Sequence, residues 1–256
     1  MSDKISEYFS KLSFYDFPEK KRCAIVNEET CDEIINEADI VIFSPLCYSL
    51  SVAENFVSMV RGKEILLDLP VESRGKDTAI LTDIVEKDYF SAYVANNIYA
   101  FELCKGKKIL CGAQLNLLNN NLGLKKIISI ESAENDDNNP MIIFGRAVLM
   151  NLTHCPRRQL GLSCSSCSQP HGFTLTDSAS NNFELRRHRT YYCYWEVLNS
   201  KVLNLSPVID PARHTRLIVD ARNVDKDKAL AVLKSPFDNS FEASTETRGR
   251  FLKGVK

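Results

Sequence analysis

Short apolar runs alternate with amphipathic stretches along most of the chain. Seven such runs precede residue 150, and their members are mainly β-branched, aromatic or leucine. Continuous apolar runs of this length are typical of strands buried on both faces, as in a parallel sheet. The predicted strands cover 22–26, 39–43, 63–68, 89–94, 108–112, 125–130 and 141–144.

Helical patterns separate the first five of these strands. We predict helices over 28–36, 51–61, 77–87 and 97–105. Ser51 and Asp77 are expected to cap two of them, and Ser51 stands three residues before Glu54, as in a capping box. An eighth apolar run follows at 216–221, and an amphipathic helix is predicted at 225–234. This alternation of strands and helices predicts an α/β fold.

Eight strand-and-helix units predict a compact or partial (β/α)8 barrel of the TIM type. Residues 1–150 would form the βα-repeat body, 151–210 an irregular, cysteine-rich insertion before the last strand, and 211–256 the closing βα unit and the C-terminal tail. The units are shorter than the roughly 30 residues usual in such barrels. An open, doubly wound sheet is therefore the alternative.

Composition and hydropathy narrow the class of protein. The 256 residues are 44% apolar and 25% charged, an ordinary globular balance that excludes wholesale disorder. No apolar run approaches the roughly 18 residues that cross a bilayer, and the first 22 residues lack the apolar segment of a secretory signal. We therefore expect a cytoplasmic protein with no membrane partner.

The net charge of −1 conceals an asymmetry between the two parts of the chain. Residues 1–150 carry 16 Lys and Arg against 23 Asp and Glu, whereas 151–256 carry 16 against 10. All four histidines also lie in the second part. A basic, histidine-bearing section on an acidic body indicates an anionic ligand or nucleic acid there, with a solvated basic face as the alternative.

Nine cysteines are many for a chain without an export signal, so metal binding, catalysis or burial is expected rather than a disulfide framework. Five are scattered and are expected to pack in the core as small hydrophobes. These are Cys23, Cys31, Cys47, Cys104 and Cys111.

The other four cysteines, Cys155, Cys164, Cys167 and Cys193, have the spacing C-x8-C-x2-C-x25-C. The close pair can chelate one metal through a tight turn. Four soft ligands without histidine favour zinc or an iron–sulfur cluster. Zinc ribbons tend to show two close pairs, so the single pair favours a four-iron, four-sulfur cluster, with zinc as the alternative.

Basic and aromatic side chains surround this cysteine section. Cations beside flat rings suit an RNA strand or an anionic aromatic, or they could neutralise the metal site and pack around it. The basic members are Arg157, Arg158, Arg186, Arg187, His188 and Arg189. The aromatic members are Phe173, Phe183, Tyr191, Tyr192, Tyr194 and Trp195.

The segments FGRAVLMNLTHCPRRQLGLSCSSC and FTLTDSASNNFELRRHRTYYCYWEVLNSKVLNL resemble peptidase family U-32, the collagenase-like peptidases. The resemblance covers about residues 60–256 and is strongest over 144–205. The matching residues are Gly145, Arg146, Leu149, Met150, Cys155, Pro156, Cys164, Cys167, Leu175, Asp177, Phe183, Cys193, Asn199, Ser200 and Leu205.

The resemblance implies a barrel whose iron–sulfur cluster is held by Cys155, Cys164, Cys167 and Cys193. It further implies oxygen-independent hydroxylation of RNA or of a small aromatic quinone precursor. A collagenase-like peptidase is the first alternative, and a non-catalytic RNA-binding protein with a structural metal site is the second. Family members are usually longer at the amino terminus, which raises the alternative of a second subunit that supplies the rest of the barrel.

The chain shows no HExxH or GxSxG peptidase motif. The stretch 145–148 also lacks the cysteine of the collagenase-type signature, which argues against the peptidase alternative.

Barrel active sites lie at the carboxyl ends of the strands. Polar residues at the predicted strand ends would face that mouth: Asn27, Glu72, Arg74, Asn96, Gln114, Asn116, Glu131 and Arg146. From these and from the basic residues near the cysteines, we take six candidates for substrate contact. They are Asn96, Asn116, Arg146, Arg157, Arg158 and Arg187.

Overall fold

The computed structural model describes residues 7–115, 124–128, 139–161, 163, 173–237 and 240–249. Within these residues the strands form two sheets, a ten-stranded sheet that is mostly parallel and a four-stranded antiparallel sheet. The protein is therefore of the mixed α/β class, as the alternation of apolar runs and helical patterns predicts.

Fourteen strands are present in the described part of the chain. Their bounds are β1 Ser13–Phe14, β2 Cys23–Val26, β3 Ile40–Phe43, β4 Glu64–Asp68, β5 Ala92–Ala95, β6 Lys108–Cys111, β7 Met141–Gly145, β8 Val148–Leu152, β9 Phe173–Thr176, β10 Asn182–Arg189, β11 Cys193–Leu198, β12 Val202–Asn204, β13 Leu217–Asp220 and β14 Glu246–Thr247. The larger sheet has the order β1-β6-β5-β4-β3-β2-β13-β7-β12-β14. Seven of its strands lie where the apolar runs predict them.

Six α-helices have both of their ends within the described residues. They are α1 Asp32–Glu37, α2 Leu50–Met59, α3 Gly75–Glu86, α4 Tyr99–Leu103, α5 Pro156–Gln159 and α6 Lys226–Lys234. Five of them lie where helical patterns are predicted or directly beside, and α5 was not predicted. None of the helices in the described part of the chain combines the length and hydrophobicity needed to cross a membrane.

Both predicted helix caps are wrong, because each helix begins earlier than its apolar pattern suggests. The N-cap of α2 is Ser49, whose hydroxyl accepts a hydrogen bond from the backbone N–H of Val52 at 3.3 Å. Ser51 instead lies inside the helix. The N-cap of α3 is Arg74, and Asp77 occupies the third helical position, where its carboxylate accepts from the Arg74 N–H at 2.9 Å.

The predicted sixth strand, 125–130, is present in its described part as two isolated parallel bridges. Lys126 bridges to Cys111 at the end of β6, and Ile128 bridges to Met141 at the start of β7. The N–H of Ile128 donates to the carbonyl oxygen of Pro140 at 2.8 Å. The segment 124–128 is therefore hydrogen-bonded to β6 on one side and to β7 on the other.

Side chains of the parallel strands alternate between two apolar clusters. One cluster packs against the helices, where the rings of Phe43 on β3 and Phe56 on α2 stack at 3.7 Å between centroids. The second cluster contains the intervening strand residues together with Tyr15 and Phe17. Since both faces of the strands are buried, their sequences are apolar throughout rather than alternating. The second cluster consists of Tyr15, Phe17, Cys23, Ile25, Ile40, Ile42, Leu66, Ala92, Val94, Leu110, Ile127 and Ile218.

The section that follows β7 is more regular than predicted. Strands β8 to β11 form the antiparallel sheet in the order β8-β11-β10-β9. The expectation of an irregular section is wrong over these strands, because charged side chains of β10 find partners on other strands, as Arg186 and His188 do at Glu196 of β11. The end of β10 is fixed to the segment after β3, where the Arg189 N–H donates to the Leu46 carbonyl at 2.9 Å and the Tyr48 N–H donates to the Arg189 carbonyl at 2.7 Å. The antiparallel sheet thus lies over the carboxyl ends of the parallel strands.

Candidate functional site

Strands β10 and β11 present two chemically different faces. The register pairs Arg186 with Glu196 and Arg189 with Cys193, and successive side chains point to opposite sides of the sheet. The outer face carries Arg187, Arg189, Cys193 and Trp195. The inner face, which is turned to the parallel strands, carries Arg186, His188, Tyr194 and Glu196.

Two of the four predicted metal ligands, Cys155 and Cys193, line one cleft of about 520 Å³ on the outer face. Both cysteines are half-buried. Cys155 is the N-cap residue of α5 and Cys193 begins β11. Four arginines line the same cleft, and no carboxylate of the described residues does, so the cleft is strongly positive. The arginines are Arg74, Arg158, Arg187 and Arg189.

A buried carboxylate fixes the turn that presents Cys193. Asp77 is 1% exposed, and its Oδ1 accepts hydrogen bonds from the backbone N–H groups of Tyr191 and Tyr192, both at 2.9 Å. The Thr190 hydroxyl donates to the same oxygen. Arg74 Nη2 donates to the carbonyl oxygen of Cys193 at 3.1 Å. Hydrogen bonds with the amino end of α3 therefore hold residues 190–193 in place.

Two tyrosines form the aromatic side of the cleft. Tyr191 and Tyr192 are 51% and 39% exposed, and their rings meet edge to face at 4.9 Å. The Lys76 ammonium lies 4.5 Å from the Tyr191 ring centroid, and the Arg74 guanidinium 4.9 Å from that of Tyr192. Accessible rings beside cations are the components of sites for single-stranded nucleic acid.

A small apolar cluster supports the cleft. Cys155 packs against the cluster of Leu185, Trp195 and Val197, as does Phe173, the first residue of β9. The Phe173 and Trp195 rings meet edge to face at 5.4 Å. Cys155, which precedes residues 164–172, and Phe173, which follows them, therefore contact the same apolar cluster.

The predicted ligands Cys164 and Cys167 lie outside the described residues. Among the residues that are described, no group of three or more His, Cys, Asp or Glu side chains could hold a metal ion. A shared metal requires its four ligands to lie in one place, and Cys155 and Cys193 do line the same cleft. The participation of Cys164 and Cys167 stays a prediction.

On the inner face, Glu196 contacts two basic side chains of β10. Its Oε2 accepts from Arg186 Nε at 2.7 Å and from His188 Nε2 at 2.9 Å. His188 Nδ1 lies 2.9 Å from the carbonyl oxygen of Pro45. His188 therefore links Glu196 of β11 to the segment that follows β3. Burial alone would raise the pKa of Glu196, but Arg186 and His188 outweigh it and hold that pKa well below its usual range.

Arg222 organises the strand ends beneath Glu196. Its Nε and Nη2 each donate to one carboxylate oxygen of Asp220 at 2.7 Å, and its Nη1 donates to the Ser44 hydroxyl at 2.5 Å. Asp68 Oδ2 lies farther from Nη1, at 3.8 Å, and Asp68 Oδ1 accepts from Asn96 Nδ2 at 2.6 Å. Burial raises the pKa of Asp68, although Arg222 opposes the shift.

A cavity of about 130 Å³ lies between these strand ends and the antiparallel sheet. Its apolar walls include Ile25, Ile42, Val94, Ile127 and Ile142. Its polar walls include Asp68, Asn96, Gln114, Arg146, Glu196, Asp220 and Arg222. An engineered cavity of about 150 Å³ in another protein takes up benzene. This cavity is slightly smaller, so a single small ring is the largest body that suits it.

Two glycines make room for the polar walls. A Cβ at Gly112 would lie 1.9 Å from Asn96 Oδ1. A Cβ at Gly145, whose φ is +140°, would lie 2.5 Å from the Cβ of Asp220. Any larger residue would displace Asn96 or Asp220, so both glycines are required by the close approach of these side chains.

The structure separates the six substrate candidates into three groups. Arg158 and Arg187 line the cysteine cleft, whereas Asn96 and Arg146 line the inner cavity. Arg157 lies on α5 and is not among the cleft-lining residues, and Asn116 lies outside the described residues.

Some of the predicted strand-end residues form hydrogen bonds that hold the local backbone in place. Arg146 donates to the carbonyl oxygens of Asn223 and Asn199 at 2.8 and 2.9 Å, which holds the chain after β7 in place. Asn27 binds within its own turn, where its Oδ1 accepts from the Glu29 N–H at 3.0 Å. Glu72 is half-buried, and Glu131 lies outside the described residues.

The inner cluster is the polar group of Asp68, Arg186, His188, Glu196, Asp220 and Arg222. Most of it was not predicted from the sequence. Asp68 and Asp220 are the last residues of β4 and β13, and a polar residue at a strand end is the same kind of signal as that which identified Asn96 and Arg146. Glu196 is a lone acid within an apolar strand, and such a residue needs a buried cation. That Arg186 and His188 are the partners of Glu196 follows only from the register of β10 and β11.

The two features that bear on function lie on opposite faces of the antiparallel sheet. Residues 186–189 of β10 supply side chains alternately to the inner cluster and to the outer cleft.

No family model, curated protein or solved structure matches this chain.

Proposed function

We propose that this chain is an iron–sulfur protein of the kind found in peptidase family U-32, acting in oxygen-independent hydroxylation of RNA or of a small aromatic. Cys155, Cys164, Cys167 and Cys193 would hold a four-iron, four-sulfur cluster. The observation that carries the proposal is that Cys155 and Cys193, far apart in sequence, line a single arginine-rich cleft.

The chemistry of the cleft suits such a cluster. Cysteine ligands bring negative charge, and the guanidinium groups of Arg74, Arg187 and Arg189 lie where they would offset it. Trp195 and Phe173 exclude water from the side on which Cys155 packs. When bound, a cluster of this type supplies one-electron transfer.

We infer that the parallel strands close into an eight-membered barrel. Seven strands and the segment 124–128 would be its members, and three observations support closure. Strand β13 pairs with both β2 and β7, residue 126 bridges to β6, and residue 128 bridges to β7. All eight members belong to this chain, which favours a barrel completed without a second subunit.

The cleft and the cavity support different substrates. The open cleft, with its arginines and exposed tyrosines, suits a nucleic-acid strand, whose phosphates bind guanidinium groups and whose bases stack on rings. The inner cavity of about 130 Å³ suits a single aromatic ring with polar substituents. A hydroxylated RNA product would favour the first substrate, and a hydroxylated quinone precursor the second.

The metal content of anaerobically purified protein tests the cluster. We expect a brown protein with about four iron and four sulfide per chain, in keeping with such a cluster. Cys155→Ser and Cys193→Ser should each lose the iron, whereas Cys31→Ser, at another half-buried cysteine outside the cleft, should retain it. A colourless protein that holds one zinc would contradict the cluster and favour the zinc alternative.

A second candidate, favoured by the arginines and tyrosines of the cleft, is an RNA-binding protein whose metal only stabilises the fold. Hydroxylation of RNA and this second function both predict RNA affinity that falls with salt. Only the first predicts hydroxylated nucleosides that disappear when the gene is deleted and return with the intact gene but not with Cys193→Ser. The collagenase-like alternative stays a prediction, and cleavage of gelatin by cluster-loaded protein tests it.

A further inference from the structure

The rhythm of strand and helix is interrupted after β7. The chain passes from Gly145 directly into β8, so no helix of its own covers the face of β7 that is turned to the helical layer. Helix α6, which follows β13, covers this region only in part. A cavity of about 310 Å³ remains between α6 and the sheet.

The interior of this cavity is mainly apolar. Ile143 and Val219 of the sheet form its floor, and Val232, Leu233 and Phe237 lie opposite. Its size falls within the range of roughly 300–1,000 Å³ that is usual for small-molecule sites. The interior therefore suits an aliphatic chain or a similar apolar body.

The rim of the cavity is cationic. Arg22 is held by Asp39 at 3.0 Å and by Glu37, and Lys234 lies 4.0 Å from Glu37. Lys20 and Lys21 are exposed and make no ion pair with any described residue. The Lys20 N–H donates to the Thr215 carbonyl at 2.7 Å, which fixes this lysine beside the opening.

Lys234 adds to this charge in the last turn of α6, where it offsets the partial negative charge of the helix carboxyl end. The rim therefore presents the two exposed ammonium groups of Lys20 and Lys21 next to an apolar interior.

We propose that this cavity binds a free amphiphile with an aliphatic body and one carboxylate head. The aliphatic body would lie between Val219 and Val232, and the carboxylate would pair with Lys20 and Lys21. The site lies at the amino ends of β2 and β13, opposite the end of the strands that carries the cysteine cleft. The proposal is therefore independent of the cluster.

Calorimetric titration of the full chain with decanoate, kept below its micelle concentration, tests the proposal. We expect saturable binding of one decanoate per chain and much weaker binding of decan-1-ol, which lacks the charge. Lys20→Gln with Lys21→Gln should weaken decanoate binding about tenfold. Thr215→Trp, which places a ring in the cavity from its partly exposed edge, should abolish binding.

A matched control is the pair Lys87→Gln and Lys105→Gln, two exposed lysines that do not line the cavity. This variant should bind decanoate as the parent chain does. Absence of saturable decanoate binding would overturn the proposal. So would a decanoate affinity in the lysine variant and in Thr215→Trp that equals the affinity of the parent chain. Binding to vesicles of anionic phospholipid without any binding of decanoate would also overturn it, in favour of a membrane headgroup site.

Discussion

Arg186 and Glu196 face each other across β10 and β11, with Arg186 Nη2 lying 2.7 Å from Glu196 Oε2 and both side chains buried. The same carboxylate oxygen accepts from His188. One carboxylate thus contacts two basic side chains of a single strand on the inner face of the antiparallel sheet. Because His188 also contacts the segment after β3, this group joins the sheet to the parallel strands.

Replacing Glu196 with Gln should destabilise the protein by about 3–5 kcal/mol, because it leaves Arg186 and His188 buried without an anion. The free energy of unfolding in urea measures the effect. Glu184→Gln is the control on the neighbouring strand β10, since Glu184 is 44% exposed and pairs with Arg146 at 3.3 Å. It should cost less than about 1 kcal/mol. Equal losses in the two variants would contradict the role of Glu196.

The loss at Glu196 should depend on pH. The folded-state pKa of Glu196 lies well below its unfolded value of about 4.3. Its stabilising contribution is therefore complete above that value and is lost as pH falls through the folded-state pKa. The difference in unfolding free energy between the parent chain and Glu196→Gln should be constant near neutral pH and shrink below about pH 4.

Asp68 and Asp220 should respond in opposite ways to replacement with Asn. The raised pKa of Asp68 means that its charge costs stability as pH rises, so Asp68→Asn should stabilise the protein near pH 7 by on the order of 1 kcal/mol. Asp220 makes the two-fold contact with Arg222, and Asp220→Asn should destabilise by about 3 kcal/mol. Urea unfolding at pH 5 and pH 8 measures both. A destabilised Asp68→Asn at pH 8 would contradict this assignment.

Much of the fold could be predicted from apolar runs alone, because strands buried on both faces leave a strong signal. The positions of β2, β3 and β13 illustrate this. The four-stranded sheet could not be predicted in the same way. Its strand β10 carries Arg186, Arg187 and Arg189, and these charges are typical of a loop unless their partners are known.

The candidate sites, too, could be predicted only where the signal lies within a short stretch of sequence. The spacing of Cys155 and Cys193 predicts a shared site, and the structure places both at one cleft. Their supports come from distant parts of the chain. Asp77 lies 114 residues before Tyr191, and only the folded chain shows that it holds the turn before Cys193.

Gly112 should be required for the approach of Asn96 to Asp68. Gly112→Ala places a Cβ 1.9 Å from Asn96 Oδ1 and should destabilise by about 1–3 kcal/mol. Combining it with Asn96→Ala removes the clash, so the double variant should be less destabilised than the sum of the two single ones. Gly75→Ala is the control, since nothing lies within 4 Å of its added Cβ. Additive losses in the double variant would show that Asn96 is not the obstacle.

Asp77 should control the geometry of the cysteine cleft without lining it. Asp77→Ala removes the acceptor of the Tyr191 and Tyr192 N–H groups and should destabilise by about 1–3 kcal/mol. Amide hydrogen exchange at residues 190–193 should become faster, and reconstituted iron per chain should fall. Asp83→Ala, at an exposed position of the same helix, should change neither. Unchanged exchange in Asp77→Ala would contradict the role of this carboxylate. Faster exchange with full iron content would show that the turn is not needed to bring Cys193 to the metal.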